Sequence, residues 1–258
     1  YPVEKDDIIE LAKWGGGVGY YFGNLRAKGG PIQSVHRKAC GPVAVLRDYH
    51  GLKSLITQGG KRDLAQMGIL PCDHPDIREF IHVKDDDPQG LSSFNISVSC
   101  TDKFMRASEV SGSSESELWQ EMVQSAWKTG DPGVYFFDVA ERSNPTPWLG
   151  QLTGTNPCGE VPLLNNEPCN LGSINLCNFV DLDTREIEWD RLREVANVST
   201  VFLNNVLDRN VFPHPSIDAA ARATRKLGLG VMGWADMLAL LSIPYDSEAA
   251  IDLAGEVM

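Results

Sequence analysis

The chain has 258 residues, 42% of them hydrophobic, and a formal net charge of −12. That length and apolar content suffice for one large core or two small ones, and the acidic balance argues against a surface built to neutralise nucleic-acid phosphates. No apolar run is long enough to span a bilayer as a helix and no signal-peptide pattern opens the chain, so a cytoplasmic chain with neither membrane nor nucleic-acid partner is expected.

Six cysteines without a CxxC pair are too sparse for a secreted disulfide scaffold. The five histidines, at positions 36, 50, 74, 82 and 214, have no metal-ligand spacing, so no metal site is expected.

In chain order, a helix pattern begins over 4–13. Trp14 to Gly30, "WGGGVGYYFGNLRAKGG", then sets glycines around an aromatic strand, 18–22, and ends in Arg26 and Lys28. Glycines remove side chains, which suits either a ligand pressed close to the backbone or a tight helix–strand turn. A helix over 42–57 leads into "QGGKR", Gln58 to Arg62, which lacks the first Gly and the final Ser/Thr of a Walker loop. Its plain reading is a helix C-cap and a loop. Strands follow at 66–70 and 93–98, with the acidic run from Asp85 to Asp87 between them as a solvated turn.

The best-marked helix is 115–129. Ser114 and Glu117 form a capping box, Leu118, Met122 and Ala126 share one face, and Gly130 follows the end. Strands at 134–137 and 173–180 and helices at 189–208, 215–226 and 234–241 complete the pattern. "GLGVMG", Gly228 to Gly233, fits a dinucleotide fingerprint letter by letter, but "IDAAARATRK" before it reads as helix where that fingerprint needs a strand. The segment therefore reads as a helix–turn–helix junction. The chain starts at Tyr1 and stops inside the helical pattern "DSEAAIDLAGEVM", as a piece of a longer protein would. Alternating helices and strands predict an α/β fold, and without repeat or linker the whole of 1–258 reads as part of one domain.

The chemistry concentrates in "NPCGEVPLLNNEPCNLGSINL", Asn156 to Leu176. Pro157 and Gly159 favour a tight loop over helix. On such a tip Asn156, Cys158 and Glu160 bring together an amide, a sulfur and a carboxylate able to accept a proton. Cys169 follows eleven positions after Cys158. Spacing alone leaves a disulfide staple, a metal site and sulfur chemistry open, and the missing ligand patterns weaken the first two.

"NPCGE" followed by "CNLGSINL" resembles the catalytic subunit of ribonucleotide reductases, most closely the adenosylcobalamin-dependent class. "GGGVGYYFGNLRAKG", "QGGKR", "DHPDIREFI", "FNISVSCTDKFM" and "TRKLGLGVMGWADML" agree in the same order, and the resemblance covers essentially the whole chain. It implies part of a ten-stranded α/β barrel, two five-stranded halves around a central finger loop with Cys158 at its tip. It further implies a thiyl radical on Cys158 that takes hydrogen from C3′ of the ribose, with Glu160 accepting the 3′-hydroxyl proton and Asn156 holding the ribose hydroxyls. Cys169 would be one member of the reducing thiol pair, its partner lying upstream in the family.

By the same resemblance Gly16 and Gly17 contact substrate, Arg26 lies near an effector nucleotide, and Gln58, Gly59, Gly60, Lys61 and Arg62 belong to a loop that links effector to substrate choice. The chain continues with Asp63-Leu64 where the family usually has Arg-Gly. The implied cofactor is adenosylcobalamin; the alternative is a radical drawn from a metal-containing small subunit, and an alternative of another class is a non-catalytic nucleotide-binding remnant. Implied partners are a ribonucleotide substrate, nucleotide effectors, a thioredoxin- or glutaredoxin-type reductant and a second copy in a homodimer. The isolated segment is expected to be inactive.

Overall fold

The computed structural model describes residues 5–34, 36–52, 57–58, 62–85 and 90–258. They fall into two compact units, the first spanning residues 1–166 with 213–215 and the second 167–212 with 216–258.

The first unit is built on a parallel sheet of β1 (Val18–Tyr21), β2 (Gln66–Pro71), β3 (Phe94–Cys100) and β4 (Gly133–Phe136), in that spatial order. Helices stand between successive strands: α1 (Lys5–Lys13) before β1, α2 (Pro42–His50) and then α3 (Ile77–Ile81) on either side of β2, α4 (Asp102–Ser108) with α5 (Ser114–Thr129) before β4, and the short α6 (Phe137–Arg142) after it. A parallel strand covered on both faces reads as a continuous apolar run, and Gln66 to Leu70 are all buried.

Register aligns the first three strands at their N-terminal ends. Val18 pairs with Gln66 and Gln66 with Phe94, so Gly19, Met67 and Asn95 form one row across the sheet. Successive residues alternate faces, which sends the next row, Tyr20, Gly68 and Ile96, to the opposite side. There Tyr20, Phe22, Tyr49 and Phe94 cluster, with Tyr20 stacked on Phe22 at 5.8 Å and tilted against Tyr49 at 5.0 Å. Each such buried ring contributes on the order of 1.5–3 kcal/mol through lost apolar exposure.

Two buried polar ties hold the starts of the strands. Tyr20 donates to Gln66 Oε1 at 3.0 Å, and the Gln66 amide donates to Ser93 Oγ at 3.2 Å. Lys84, 6% exposed, bridges the Phe94 carbonyl and the Asp131 carboxylate, whose other oxygen accepts from the Ile96 amide.

In the second unit, β5 (Asn170–Asn175) pairs in parallel with β6 (Leu227–Met232). The unit also holds α7 (Trp189–Arg209), α9 (Trp234–Leu241) and α10 (Glu248–Val257) around Leu176, Phe179, Met237 and Leu238, and, from Ser216 on, α8 (Pro215–Thr224). Among the described residues no helix is long and apolar enough to cross a membrane.

Several expectations are corrected. Gly228 to Met232 belong to a strand, not a helix–turn–helix junction: Leu227 and Leu229 alternate with glycine before Val231 and Met232, and β5 supplies the pairing that a local reading lacks. The element before it is still a helix, which disfavours the dinucleotide fingerprint as the sequence predicted. The helix expected over 42–57 ends at His50, and Thr57–Gln58 is extended. The cap of α5 is Ser113, whose hydroxyl accepts from the Ser116 amide at 3.0 Å, one residue before the predicted Ser114, while Gly130 closes the helix in a left-handed conformation. The predicted strand 173–180 begins earlier and turns into a 3₁₀ segment at Leu176–Phe179.

Candidate active site

Gly154–Thr155 and Pro162–Leu163 pair antiparallel, which makes residues 156–161 the tip of a hairpin. Within it the Gly159 amide donates to the Asn156 carbonyl at 3.1 Å, closing a turn with Pro157 second and Gly159, at φ 86°, fourth. Proline's fixed φ suits the second turn position and glycine the fourth. Asn156 braces the turn again, its Oδ1 accepting from the Val161 amide at 3.1 Å. Cys158 and Glu160 are exposed beside a half-buried Asn156, so the three side chains that the sequence singled out share one tip.

The hairpin lies across the sheet face that carries the row of Gly19, Met67 and Asn95. A Cβ at Gly17 would sit 2.5 Å from the Pro157 ring, and one at Gly19 only 1.8 Å from the Thr155 carbonyl oxygen. Gly19 on β1 and Gly17, the residue just before the strand, leave one side free of side chains so that the hairpin backbone can settle there. Asn95 then ties the tip down, its Nδ2 donating to the Pro157 carbonyl at 2.8 Å. Met67 completes the contact, its methyl 3.7 Å from where a Cβ on Gly159 would stand.

A second anchor holds the chain just before the hairpin. The Tyr135 hydroxyl donates to the Leu152 carbonyl and Glu141 accepts from the Leu152 amide. Burial, with the charge of Glu141 adding to it, pushes the Tyr135 hydroxyl up to about 12.

The other predicted residues fall on separate elements. Gly16 closes α1, donating to the Leu11 carbonyl at 3.1 Å, and Gly17 follows it on the approach to β1. The turn expected of the glycine run is found at Gly16, whereas the close approach at Gly17 is made by the chain's own hairpin and not by a ligand. Arg26 is exposed beyond the opposite, C-terminal end of β1. Gln58 and Arg62 pair across a short hairpin that leads to the N-terminal end of β2; Gly59, Gly60 and Lys61 lie outside the described residues.

Cys169 precedes β5 in the second unit and is half-buried, its sulfur 3.6 Å from where a Cβ on Gly228 would stand. Lys226 forms an ion pair with the buried Glu167 at 2.8 Å close by in sequence register. Cys177, the other cysteine of that unit, follows the far end of β5, and a strand rising about 3.3 Å per residue keeps the two far beyond disulfide reach. Among the described residues no group of three or more His, Cys, Asp or Glu side chains could hold a metal ion.

Sequence reasoning missed Asn95, Met67, Gly19 and Tyr135. The one available signal was glycine at two positions of the same parity beside an aromatic strand; Asn95 and Met67 join them only through strand register.

Comparison with known proteins agrees with the α/β fold. The family described as "Ribonucleotide reductase, barrel domain" matches residues 4–116 and 109–258. The vitamin B12-dependent ribonucleoside-diphosphate reductase of Mycobacterium tuberculosis is 45% identical over 264 residues, covering 96% of this chain and 38% of the relative. Its namesake from Thermoplasma acidophilum is 45% identical over 275 residues, covering 98% and 36%. Among solved structures, the class Id ribonucleotide reductase alpha subunit of Actinobacillus ureae superposes with a TM-score of 0.79 at 26% identity, over 96% of this chain and 46% of that one. The chain thus spans less than two-fifths of the length of these curated relatives. It belongs to the ribonucleotide reductase family, within the barrel domain.

Proposed function

We propose that the intact protein reduces ribonucleoside diphosphates to deoxyribonucleotides by thiyl-radical chemistry, with Cys158 as the radical carrier. The observation that carries this reading is the hairpin tip, which gathers Asn156, Cys158 and Glu160 and is pressed onto a glycine-cleared sheet face. The diphosphate and the cobalamin dependence are taken from the names of the 45% identical relatives. Both units are proposed to belong to one barrel domain with the hairpin as its central finger, a reading supported by the span of the family match.

In the proposed cycle the Cys158 sulfur radical takes the C3′ hydrogen, and Glu160 accepts the 3′-hydroxyl proton. Asn156 has its Oδ1 engaged by the Val161 amide, so its Nδ2 is the end that donates to a ribose hydroxyl. The 2′-hydroxyl leaves as water, two thiols supply the electrons and become a disulfide, and Cys158 returns hydrogen to C3′. Cys169 is proposed as one of those thiols, Gly16 and Gly17 as a substrate-facing backbone, and Arg26 with 58–62 as the effector-responsive loops. Nucleotide effectors, a thioredoxin- or glutaredoxin-type reductant and a second copy of the chain are the proposed partners. None of the six cysteines is in a disulfide, which suits the reducing cytoplasm.

Adenosylcobalamin, when bound, would supply the initiating radical. What this chain offers such a group is an exposed thiol at a hairpin apex, open to a radical donor. The second reading, radical supply by a small subunit, draws on the class Id structural relative.

The test is Cys158→Ser in the full-length protein, assayed with and without adenosylcobalamin. The variant is expected to fold with an unchanged thermal midpoint and to show no turnover, while wild-type turnover requires the cofactor. Product formation by the variant overturns the role of Cys158; wild-type activity without cobalamin favours a small subunit.

A further inference from the structure

We propose that Cys72 and Cys100 are a second redox pair, oxidised by hydroperoxides to a disulfide that joins β2 to β3. The inference stands apart from the roles of Cys158 and Cys169. It starts from register: β2 and β3 pair from Gln66 with Phe94 through Pro71 with Ser99. The Cys72 amide continues the ladder, donating to the Ser99 carbonyl at 3.0 Å. One step further sets Cys72 opposite Cys100. Neighbouring strands lie about 4.7–4.9 Å apart, inside the roughly 4.4–6.8 Å between Cα atoms that a disulfide spans. The two thiols are hydrogen-bonded to each other and belong to the hydrophobic core of the first unit. Met67 and Cys72 differ in parity along β2, so the pair occupies the face opposite the one the hairpin crosses.

Burial by itself makes a cysteine inert. Two features set this pair apart. The hydrogen bond from Cys100 holds the Cys72 thiol below its usual range, with the Thr101 and Cys72 amides assisting against burial and the charge of Asp73. The same bond, together with burial, pushes Cys100 far up. In addition, Cys72 lines a cavity of about 350 Å³ whose wall includes Arg78, Thr101, Lys103, Phe104 and Leu118. The cavity brings a small oxidant to Cys72, and its wall carries the cations Arg78 and Lys103 beside the carboxylates Asp73 and Glu115.

The chemistry balances. The Cys72 thiolate attacks one oxygen of a hydroperoxide and the O–O bond breaks. Cys72 becomes a sulfenic acid, and the departing oxygen takes a proton from solvent and leaves as water or alcohol. The Cys100 sulfur then displaces the hydroxyl from Cys72, which leaves with the Cys100 proton as a second water. Two thiols have lost two electrons to the peroxide.

To test this, the full-length protein is reduced, freed of reductant, treated with hydrogen peroxide or tert-butyl hydroperoxide, and digested with trypsin without reduction. Mass spectrometry is expected to find peptides 63–78 and 85–103, each with a single cysteine, joined and lighter by two hydrogens than their sum. In Cys100→Ser a dione probe is expected to trap Cys72 as a sulfenic acid, and in Cys72→Ser Cys100 is expected to remain reduced. If either variant fails to fold, the wild-type digest decides alone. Cys72 and Cys100 both reduced after peroxide has oxidised Cys158 or Cys169 overturns the proposal. So does Cys72 joined to any other cysteine, or Cys100 trapped in place of Cys72.

Discussion

At the scale of single residues, the candidate site rests on two absences of a side chain. A methyl at Gly19 would meet the backbone carbonyl of Thr155 at 1.8 Å, and a backbone cannot swing aside as a flexible side chain can. Gly19→Ala is therefore expected to lift the hairpin off the sheet, destabilise the fold by about 1–3 kcal/mol and suppress turnover of the full-length protein. Thermal unfolding and a steady-state assay check this, and wild-type values in both would mean that the hairpin does not cross at Gly19. Asn156, Cys158 and Glu160 were legible in the sequence because an amide, a sulfur and a carboxylate stand within five residues around a Pro and a Gly. Asn95 was not legible. It lies far from Pro157 in sequence, and its hydrogen bond exists only once β3 has taken its place beside β2.

At the scale of elements, the hairpin depends on what holds its approach. Tyr135 on β4 donates to the Leu152 carbonyl, so Tyr135→Phe is expected to cost about 1 kcal/mol. The pH dependence has a definite sign. The folded-state hydroxyl is pushed up to about 12, whereas an unfolded tyrosine titrates near 10. Its contribution is therefore fully present below about pH 10 and is lost as pH rises through about 12. The unfolding midpoints of wild type and Tyr135→Phe should converge over that interval, and a constant gap between them would exclude the effect. Local signals served some elements better than others. Helix α9 ran as the apolar pattern predicted and α5 was displaced by one capping residue, because caps and periodicity act within a few positions. Strand β6 was misread because a Gly-rich run carries no strand propensity of its own and needs β5 beside it.

At the scale of the whole molecule, the reducing pair proposed for Cys169 finds no second member within its own unit. Cys169 and Cys177 sit at opposite ends of β5, and the relatives are more than twice as long as the matched segment. The isolated 258 residues are expected to give no deoxynucleotide from a ribonucleoside diphosphate with dithiol reductant and adenosylcobalamin, under conditions where the full-length protein turns over. Product from the short chain would show that Cys169 finds its partner within it. Sequence alone determined the α/β alternation, the acidic character and the chemistry-bearing tip, since these follow from residue type and short spacing. Tertiary structure decided which sheet face the hairpin crosses, that Gly17 and Gly19 are open for it, and that Cys72 stands opposite Cys100. The reason is register: pairing joins residues distant in sequence, and a slip of one position sends every side chain of a strand to the other face.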